Sequence, residues 1–196
     1  MWSFFKSLSS ILFDENQELG IATRSFKTSK QNITIYAGST LTPEISHLIL
    51  RAKESNDLIA RKFLAKLILD AISLTKECEI NLIPIPSRLE ADRKRGIKHI
   101  NELVKEVGKL TTVRAFYILE HQKKIADQSR LSSMARFLNM SDAFRVNKSP
   151  YPTKAFLFDD LVTTGATVAA AAKALEVGNI QLLGVISACA SALFTE

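Results

Sequence analysis

The chain alternates between short continuous apolar runs and longer segments in which apolar residues recur at helical spacing. A short apolar run is typical of a buried strand, whereas recurrence every three or four residues is typical of a helix with one buried face. The runs predict strands over residues 33–36, 80–83, 113–119, 156–158 and 180–187. The periodic segments predict helices over residues 43–53, 58–71, 90–109 and 167–177, with Thr42, Asp57 and Gly178 as capping residues.

This order of elements predicts the fold class and the domain organisation. Strands that alternate with helices form α/β folds with a mainly parallel sheet, and ligands bind such sheets at the carboxyl ends of the strands. We expect one domain over residues 33–196 and an N-terminal arm over residues 1–32, which is irregular from residue 14 onwards. An apolar face at near-helical spacing in the arm is formed by Trp2, Phe5, Leu8, Ile11, Leu12 and Phe13. The alternatives for this face are packing on the chain itself, on a partner or on a membrane surface.

Composition narrows the class of protein and the kind of partner. Of the 196 residues, 46% are hydrophobic and 23% are charged, which is ordinary for a globular protein. The net charge of +6 favours an anionic partner, either a multiply phosphorylated small molecule or nucleic acid. No segment approaches the roughly 20 apolar residues of a membrane span, and the N-terminus lacks the cleavage site of a signal peptide. We therefore expect a cytoplasmic protein with no transmembrane segment.

The cysteines and histidines do not predict a metal site. Cys78 and Cys189 are far apart and not in Cys-x-x-Cys spacing, so we expect two small buried hydrophobes in a reducing compartment. His47, His99 and His121 have no acidic or cysteine neighbours at ligand spacing. We expect each histidine to be a surface residue or a satisfied core residue.

The largest cluster of candidate functional residues follows the strand predicted at residues 156–158. Two carboxylates come first, then a loop of hydroxyls with a glycine, and then an alanine-rich helix: Asp159, Asp160, Thr163, Thr164, Gly165, Ala166 and Thr167. Adjacent acids at the end of a buried strand are costly unless a ligand or a metal uses them. The N-terminus of the helix favours a phosphate, and a glycine lets the backbone approach it closely. The pattern indicates a site for a phosphorylated ribose; the alternative is a capped helix after an edge strand with solvated acids.

Three further segments carry candidate anion-binding groups. Pro84 and Pro86 fix the backbone after a predicted strand. The segment is either a rigid strand exit with a solvated Arg88 or a loop that binds an anion through Ile85, Pro86, Ser87 and Arg88. The basic segment 92–96 is either a solvated helix start or a contact to diphosphate or nucleic acid. Segment 118–144 is either an ordinary surface loop or a lid over a diphosphate, with Lys123, Lys124, Gln128, Arg130 and Arg136 as its donors.

The whole of segment 156–167 resembles the loop that binds phosphoribosyl diphosphate (PRPP) in type I phosphoribosyltransferases. Several weaker motifs occur in the order and spacing of the ComF family of competence-associated, phosphoribosyltransferase-like proteins, to which the chain is similar over about residues 33–190. These motifs are Tyr36-x-Gly38, Lys53, Pro84-x-Pro86, Arg95-Gly96, Gln128-x-x-Leu131, Arg136-x-x-Asn139 and Ala143-Phe144. We expect this chain to lack the family's usual N-terminal zinc ribbon, since no cysteine precedes Cys78.

The resemblance implies a type I phosphoribosyltransferase-like fold, with a mainly parallel twisted sheet flanked by helices and a small N-terminal hood or arm. It implies that Asp159 and Asp160 are catalytic, contact the ribose hydroxyls and reach Mg²⁺ directly or through water. It also implies that the loop from Thr163 to Thr167 wraps the 5′-phosphate and that residues 85–88 bind the diphosphate.

The activity implied by the resemblance is Mg²⁺-dependent transfer of a phosphoribosyl group from PRPP to a nitrogenous acceptor, with release of diphosphate. The alternative is a non-catalytic PRPP-binding or DNA-handling protein linked to DNA uptake, with single-stranded DNA as its partner. A homo-oligomer is compatible with both functions.

Overall fold

The computed structural model describes residues 26–30, 32–87, 98–122, 143–147 and 152–192. The helices in these ranges are α1 (Pro43–Glu54), α2 (Leu58–Ser73), α3 (His99–Gly108) and α4 (Ala166–Val177). The strands are β1 (Phe26–Lys30), β2 (Ile33–Ala37), β3 (Ile80–Pro84), β4 (Val113–Ala115), β5 (Leu119–His121), β6 (Phe144–Val146), β7 (Lys154–Val162) and β8 (Gln181–Ala190). No helix in the described ranges is long and apolar enough to cross a membrane.

One six-stranded sheet organises the molecule, in the order β1-β2-β8-β7-β3-β4. The five strands from β2 to β4 in this order are parallel, and only β1, at the edge, pairs antiparallel with its neighbour. A separate antiparallel hairpin is formed by β5 and β6. The predicted α/β fold with a mostly parallel sheet flanked by helices is therefore confirmed.

Two apolar layers cover the two faces of the sheet. Helices α1, α2 and α3 bury one face together with Leu82, Phe156 and Phe158. Helix α4 and the β5–β6 hairpin bury the other face together with Ile83 and Leu157. Successive strand residues point to opposite faces, which explains why β3 and β7 consist of continuous apolar runs.

The helix starts follow the capping signals of the sequence. The Thr42 side chain accepts a hydrogen bond from the Ile45 N–H, and Pro43 opens α1. The Asp57 carboxylate accepts from the N–H groups of Ile59 and Ala60 at the start of α2. Gly178 ends α4, as predicted.

Several predicted boundaries are wrong, and strand pairing explains each one. Residues 26–30 are not irregular, because their backbone pairs with β2 across a turn in which Asn32 has a φ of 62°. The strand predicted over 113–119 is split, because β4 pairs with β3 whereas β5 pairs with β6. Strand β7 continues past Phe158 to Val162, because β8 pairs with it that far.

Some predictions concern residues outside the described ranges and stay predictions. They include the apolar face of the arm, Arg88, the basic segment 92–96 and the lid donors Lys123, Lys124, Gln128, Arg130 and Arg136. The predicted division into an arm and a domain at residue 33 also stays a prediction.

Substitution of Gly38, just after β2, tests how closely the chain packs against α2 at this point. A Cβ at this position would overlap the carbonyl oxygen of Leu67 in α2 and lie 2.8 Å from the Leu67 Cα. Because these are backbone atoms that cannot move aside, we expect Gly38→Ala to lower the free energy of unfolding by about 3 kcal/mol. Urea denaturation monitored by circular dichroism measures this change.

The matched control is Gly108→Ala at the end of α3, where nothing lies within 4 Å of the added Cβ. It is expected to be neutral or to stabilise by up to about 1 kcal/mol, since alanine is the better helix former. Equal effects of the two substitutions would contradict the close approach of β2 and α2.

Candidate functional site

The carboxyl ends of β3 and β7 meet where the direction of the sheet order reverses. The chain leaves β3 through α3 to β4 on one side, and it leaves β7 through α4 to β8 on the other. The two strands are neighbours, with Pro84 opposite Phe158 and the Ile85 N–H donating to the Phe158 carbonyl at 2.9 Å. In open α/β sheets, such a reversal leaves a crevice in which ligands bind. Both sequence segments predicted to contact a phosphorylated ligand begin at this point.

The turn from β7 into α4 leaves helical N–H groups without internal acceptors. Gly165 is the N-cap of α4 with a φ of 78°, a left-handed conformation that glycine adopts without strain, and its residue type supplies no side-chain cap. The Thr164 hydroxyl accepts from the Ala166 N–H at 3.4 Å, and the first helical bond runs from the Ala169 N–H to the Gly165 carbonyl at 2.8 Å. No acidic residue lies in the first turn of α4. This exposed turn therefore offers N–H donors and a helix dipole to an anion.

Asp160 is a buried carboxylate in contact with two basic side chains. It is 2% exposed. The Lys53 ammonium on α1 donates to Oδ1 at 3.0 Å and lies 2.7 Å from Oδ2. The Nε2 atom of the fully buried His99, at the start of α3, lies 3.2 Å from Oδ2. Asp160 thus joins β7 to two helices on one face of the sheet.

Asp159 has a different environment from its neighbour. Since alternate strand residues face opposite ways, its side chain lies on the sheet face that carries Leu157 and α4, three residues before β7 ends at Val162. It is partly exposed, and its Oδ1 accepts a hydrogen bond from the Asp160 N–H at 2.9 Å. Asp159 is therefore the carboxylate of the pair that is available to a ligand.

The two environments shift the pKa values of these aspartates in opposite directions. Burial, and then the neighbouring Asp160 charge, raise the pKa of Asp159 well above its ordinary value. Burial would also raise the pKa of Asp160, but His99 and the Lys53 ammonium outweigh it and hold that pKa well below its ordinary value. Asp160 is a fixed anion, whereas Asp159 is an acid whose charge is destabilised in the ligand-free protein.

The exit of β3 fits the predicted anion loop only in part. The expectation for the Ile85 amide is wrong, because that N–H holds the strand edge to Phe158, and Pro86 has no N–H. Among the described residues, none accepts a hydrogen bond from the Ser87 N–H. The Nε2–H of His121 donates to the carbonyl oxygens of Ser87 at 2.9 Å and of Pro86 at 3.1 Å. Ser87 is therefore the described residue of this loop whose amide suits an anion.

Sequence reasoning assigned no role to three side chains that the structure brings to these segments. The sequence includes Lys53 only in a family pattern, and its expectation for His99 and His121 is a surface residue or a satisfied core residue. The signal available for Lys53 was its place on the last turn of a helix that begins just after a strand of the sheet.

Cys189 is buried as expected, with its pKa raised to about 12 by burial, but the expectation of burial is wrong for Cys78, which is exposed.

The comparisons with known proteins do not assign a family. No protein-family model matches the chain, and no curated protein is significantly similar to it. Within the described ranges, no group of three or more His, Cys, Asp or Glu side chains is placed to hold a metal ion. Any function proposed for this site must therefore be argued from the geometry and the chemistry of its own residues.

The opposite pKa shifts predict opposite effects of two neighbouring substitutions on stability. The raised pKa of Asp159 means that the wild type loses stability as pH rises above the unfolded carboxyl value of about 3.9. Asp159→Asn removes this loss and keeps the Oδ1 acceptor. We expect this variant to match the wild type near pH 4 and to exceed its free energy of unfolding at pH 7, because a carboxyl group whose pKa is raised by folding lowers stability once it is ionised. Urea denaturation at the two pH values measures the difference.

The control is Asp160→Asn, which breaks the buried contact with Lys53. We expect it to destabilise the protein at pH 7 by about 2 kcal/mol, less than for a fully buried pair because the Lys53 side chain is 26% exposed. The depressed pKa means that this stabilisation is present above about pH 4 and is lost as pH falls further. If both variants were destabilised alike at pH 7, the division of roles would be contradicted.

Proposed function

We propose that this chain is a Mg²⁺-dependent, phosphoribosyltransferase-like protein of the ComF type that binds PRPP. The observation that carries the proposal is the juxtaposition of a partly exposed aspartate and a helix N-terminus whose N-cap, Gly165, has no side chain, at the point where the sheet order reverses. The mostly parallel sheet is compatible with a type I phosphoribosyltransferase-like fold.

The ribose 5-phosphate part of PRPP fits the β7–α4 turn. The phosphate would accept hydrogen bonds from the main chain and hydroxyls between Thr163 and Thr167, each worth about 1.5–3 kcal/mol for a charged acceptor. Asp159 precedes this turn by four residues and would accept from the ribose hydroxyls. Ligand binding would then provide the donors that stabilise the Asp159 charge, which burial disfavours in the free protein.

Asp160 supports the site instead of binding the sugar. Its carboxylate is already in contact with Lys53 and His99, so it holds the end of β7 in place beneath the turn. This differs from the assignment that the resemblance implies, in which both acids contact the ribose. We therefore assign ribose binding to Asp159 and a positioning role to Asp160.

The described residues of this site could hold Mg²⁺ only together with the substrate, because they supply too few ligands to bind the ion alone. Mg²⁺ keeps several waters and is commonly held by one or two carboxylates together with substrate phosphates. Asp159 supplies one such carboxylate, while Asp160 is engaged by Lys53. Bound Mg²⁺ would neutralise charge on the diphosphate, with Asp159 as the protein's ligand to it, directly or through water.

In the proposed reaction, the acceptor nitrogen forms a bond to C1 of the ribose as the bond from C1 to the diphosphate oxygen breaks. The electron pair of the broken bond leaves with the diphosphate. The chain's residues hold the ribose by its phosphate and its hydroxyls, so that C1 stays in line between acceptor and leaving group. Catalysis of this kind depends on positioning and charge stabilisation more than on a strong base.

The second candidate is a protein that binds PRPP without turnover, or that handles DNA. The observation that favours it is the net charge of +6, which suits nucleic acid as well as a phosphorylated small molecule. Release of diphosphate with any free base as acceptor would exclude pure binding. Retention of single-stranded DNA that falls steeply as salt rises would support the DNA role.

Asp159→Asn tests the proposal directly through binding. We expect the wild type to bind PRPP in the presence of Mg²⁺ and this variant to bind it at least tenfold more weakly, since a hydrogen bond to a charged group contributes about 1.5–3 kcal/mol. Isothermal titration calorimetry measures both affinities. The same substitution is expected to raise stability, so unfolding would not account for the loss.

Glu176→Gln is the control, because this exposed carboxylate lies at the opposite end of α4 from the turn. It is expected to leave the affinity unchanged. Wild-type PRPP affinity in the Asp159 variant, or no binding of PRPP by the wild type, would overturn the proposed function.

A further inference from the structure

His121 connects the β5–β6 hairpin to the loop that leaves β3. Its side chain is partly buried, and its ring packs against Phe144 of β6 with 5.0 Å between the ring centroids. From this position its Nε2 atom reaches the carbonyl oxygens of Ser87 at 2.9 Å and of Pro86 at 3.1 Å. Carbonyl oxygens only accept hydrogen bonds, so Nε2 carries a proton and donates to both.

These two hydrogen bonds fix the orientation of the loop's peptide groups. In a trans peptide, the C=O of one residue and the N–H of the next point in opposite directions, and the described residues contain no cis peptide bond. Because the Pro86 carbonyl points to His121, the Ser87 N–H points away from the hairpin. That N–H has no acceptor among the described residues, so it is presented without a competing partner.

The fixed orientation matters because the loop begins beside the proposed sugar site. The Ile85 amide bonds to the Phe158 carbonyl, one residue before Asp159, so the loop and the β7–α4 turn leave adjacent strands. A diphosphate on C1 of a ribose bound at that turn extends away from the 5′-phosphate. An amide whose orientation is already fixed by a neighbouring hairpin binds an anion without the loss of conformational entropy that ordering a loop would require.

We propose that His121 is a positioning residue for recognition of the diphosphate: it orients the Pro86–Ser87 peptide so that the Ser87 amide binds the diphosphate of PRPP. This inference rests on the proposed function and adds to it a residue that does not touch the ligand. It predicts that His121 affects the preference for PRPP over ribose 5-phosphate, which lacks the diphosphate, and leaves binding of ribose 5-phosphate unchanged.

The test compares the dissociation constants of PRPP and ribose 5-phosphate, both with Mg²⁺, for the wild type and three variants. His121→Phe keeps a ring against Phe144 but removes the donor, and we expect it to weaken PRPP binding about tenfold with ribose 5-phosphate unchanged. His121→Gln retains an N–H donor and is expected to restore most of the preference. His47→Phe, at an exposed histidine on α1, is the matched control and is expected to behave as the wild type.

The outcomes separate this inference from the proposed function. If the wild type prefers PRPP and His121→Phe keeps that preference, the role of His121 is overturned while the proposed function stands. A loss of affinity for both ligands in His121→Phe also overturns it, because that result indicates a general structural role. If the wild type binds neither ligand, the proposed function and this inference both fail. Should His121→Phe not fold, His121→Leu is the second donor-free variant, and the same criteria apply to it.

Discussion

A single buried carboxylate, Asp160, holds together the elements on which the site depends. It lies near the end of the central strand β7 and contacts Lys53 from α1 and His99 from α3, at 2.7 and 3.2 Å. A buried charge is stable only when it is paired, so these contacts require the two helices and the strand to stay in register. Both candidate ligand loops, after β3 and after β7, begin at the carboxyl edge of the sheet. The contacts of Asp160 hold this edge against α1 and α3.

The buried charge of Asp160 leaves the neighbouring acid in an unfavourable position. Asp159 lies beside a fixed negative charge, and the Lys53 ammonium, which contacts Asp160, offsets the effect on Asp159 only in part. Burial and the Asp160 charge therefore raise the pKa of Asp159. A ligand that donates hydroxyls, or a cation that accompanies it, would relieve this unfavourable interaction. Such local strain is typical of functional sites, where stability is lower than the fold alone would permit.

The fold could be predicted from the sequence wherever local signals agree with tertiary packing. Thr42 and Asp57 cap the helices that they were expected to cap, and the apolar runs of β3 and β7 lie side by side in the sheet. The failures occur where pairing with a distant strand decides the structure. Residues 26–30 carry a polar pattern and form a strand only because β2 pairs with them, and β5 is separated from β4 by its pairing with β6.

The candidate site was predictable in its main loop and not in its supporting residues. Adjacent acids followed by hydroxyls and a glycine form a local pattern that can be recognised without the fold. Lys53 and His99 are separated from Asp160 by 107 and 61 positions, and neither the place of Lys53 on the last turn of its helix nor the sequence around His99 identifies Asp160 as the partner. His121 contacts carbonyl oxygens, which every residue possesses, so no sequence signal for that contact exists.

The most direct test of this account is a crystal structure of the protein with ribose 5-phosphate. We expect the phosphate to lie over the turn from Thr163 to Thr167, the ribose hydroxyls to bond to Asp159, and Asp160 to keep its contact with Lys53. A phosphate bound elsewhere would contradict it, and so would a ribose bonded to an Asp160 that has left Lys53.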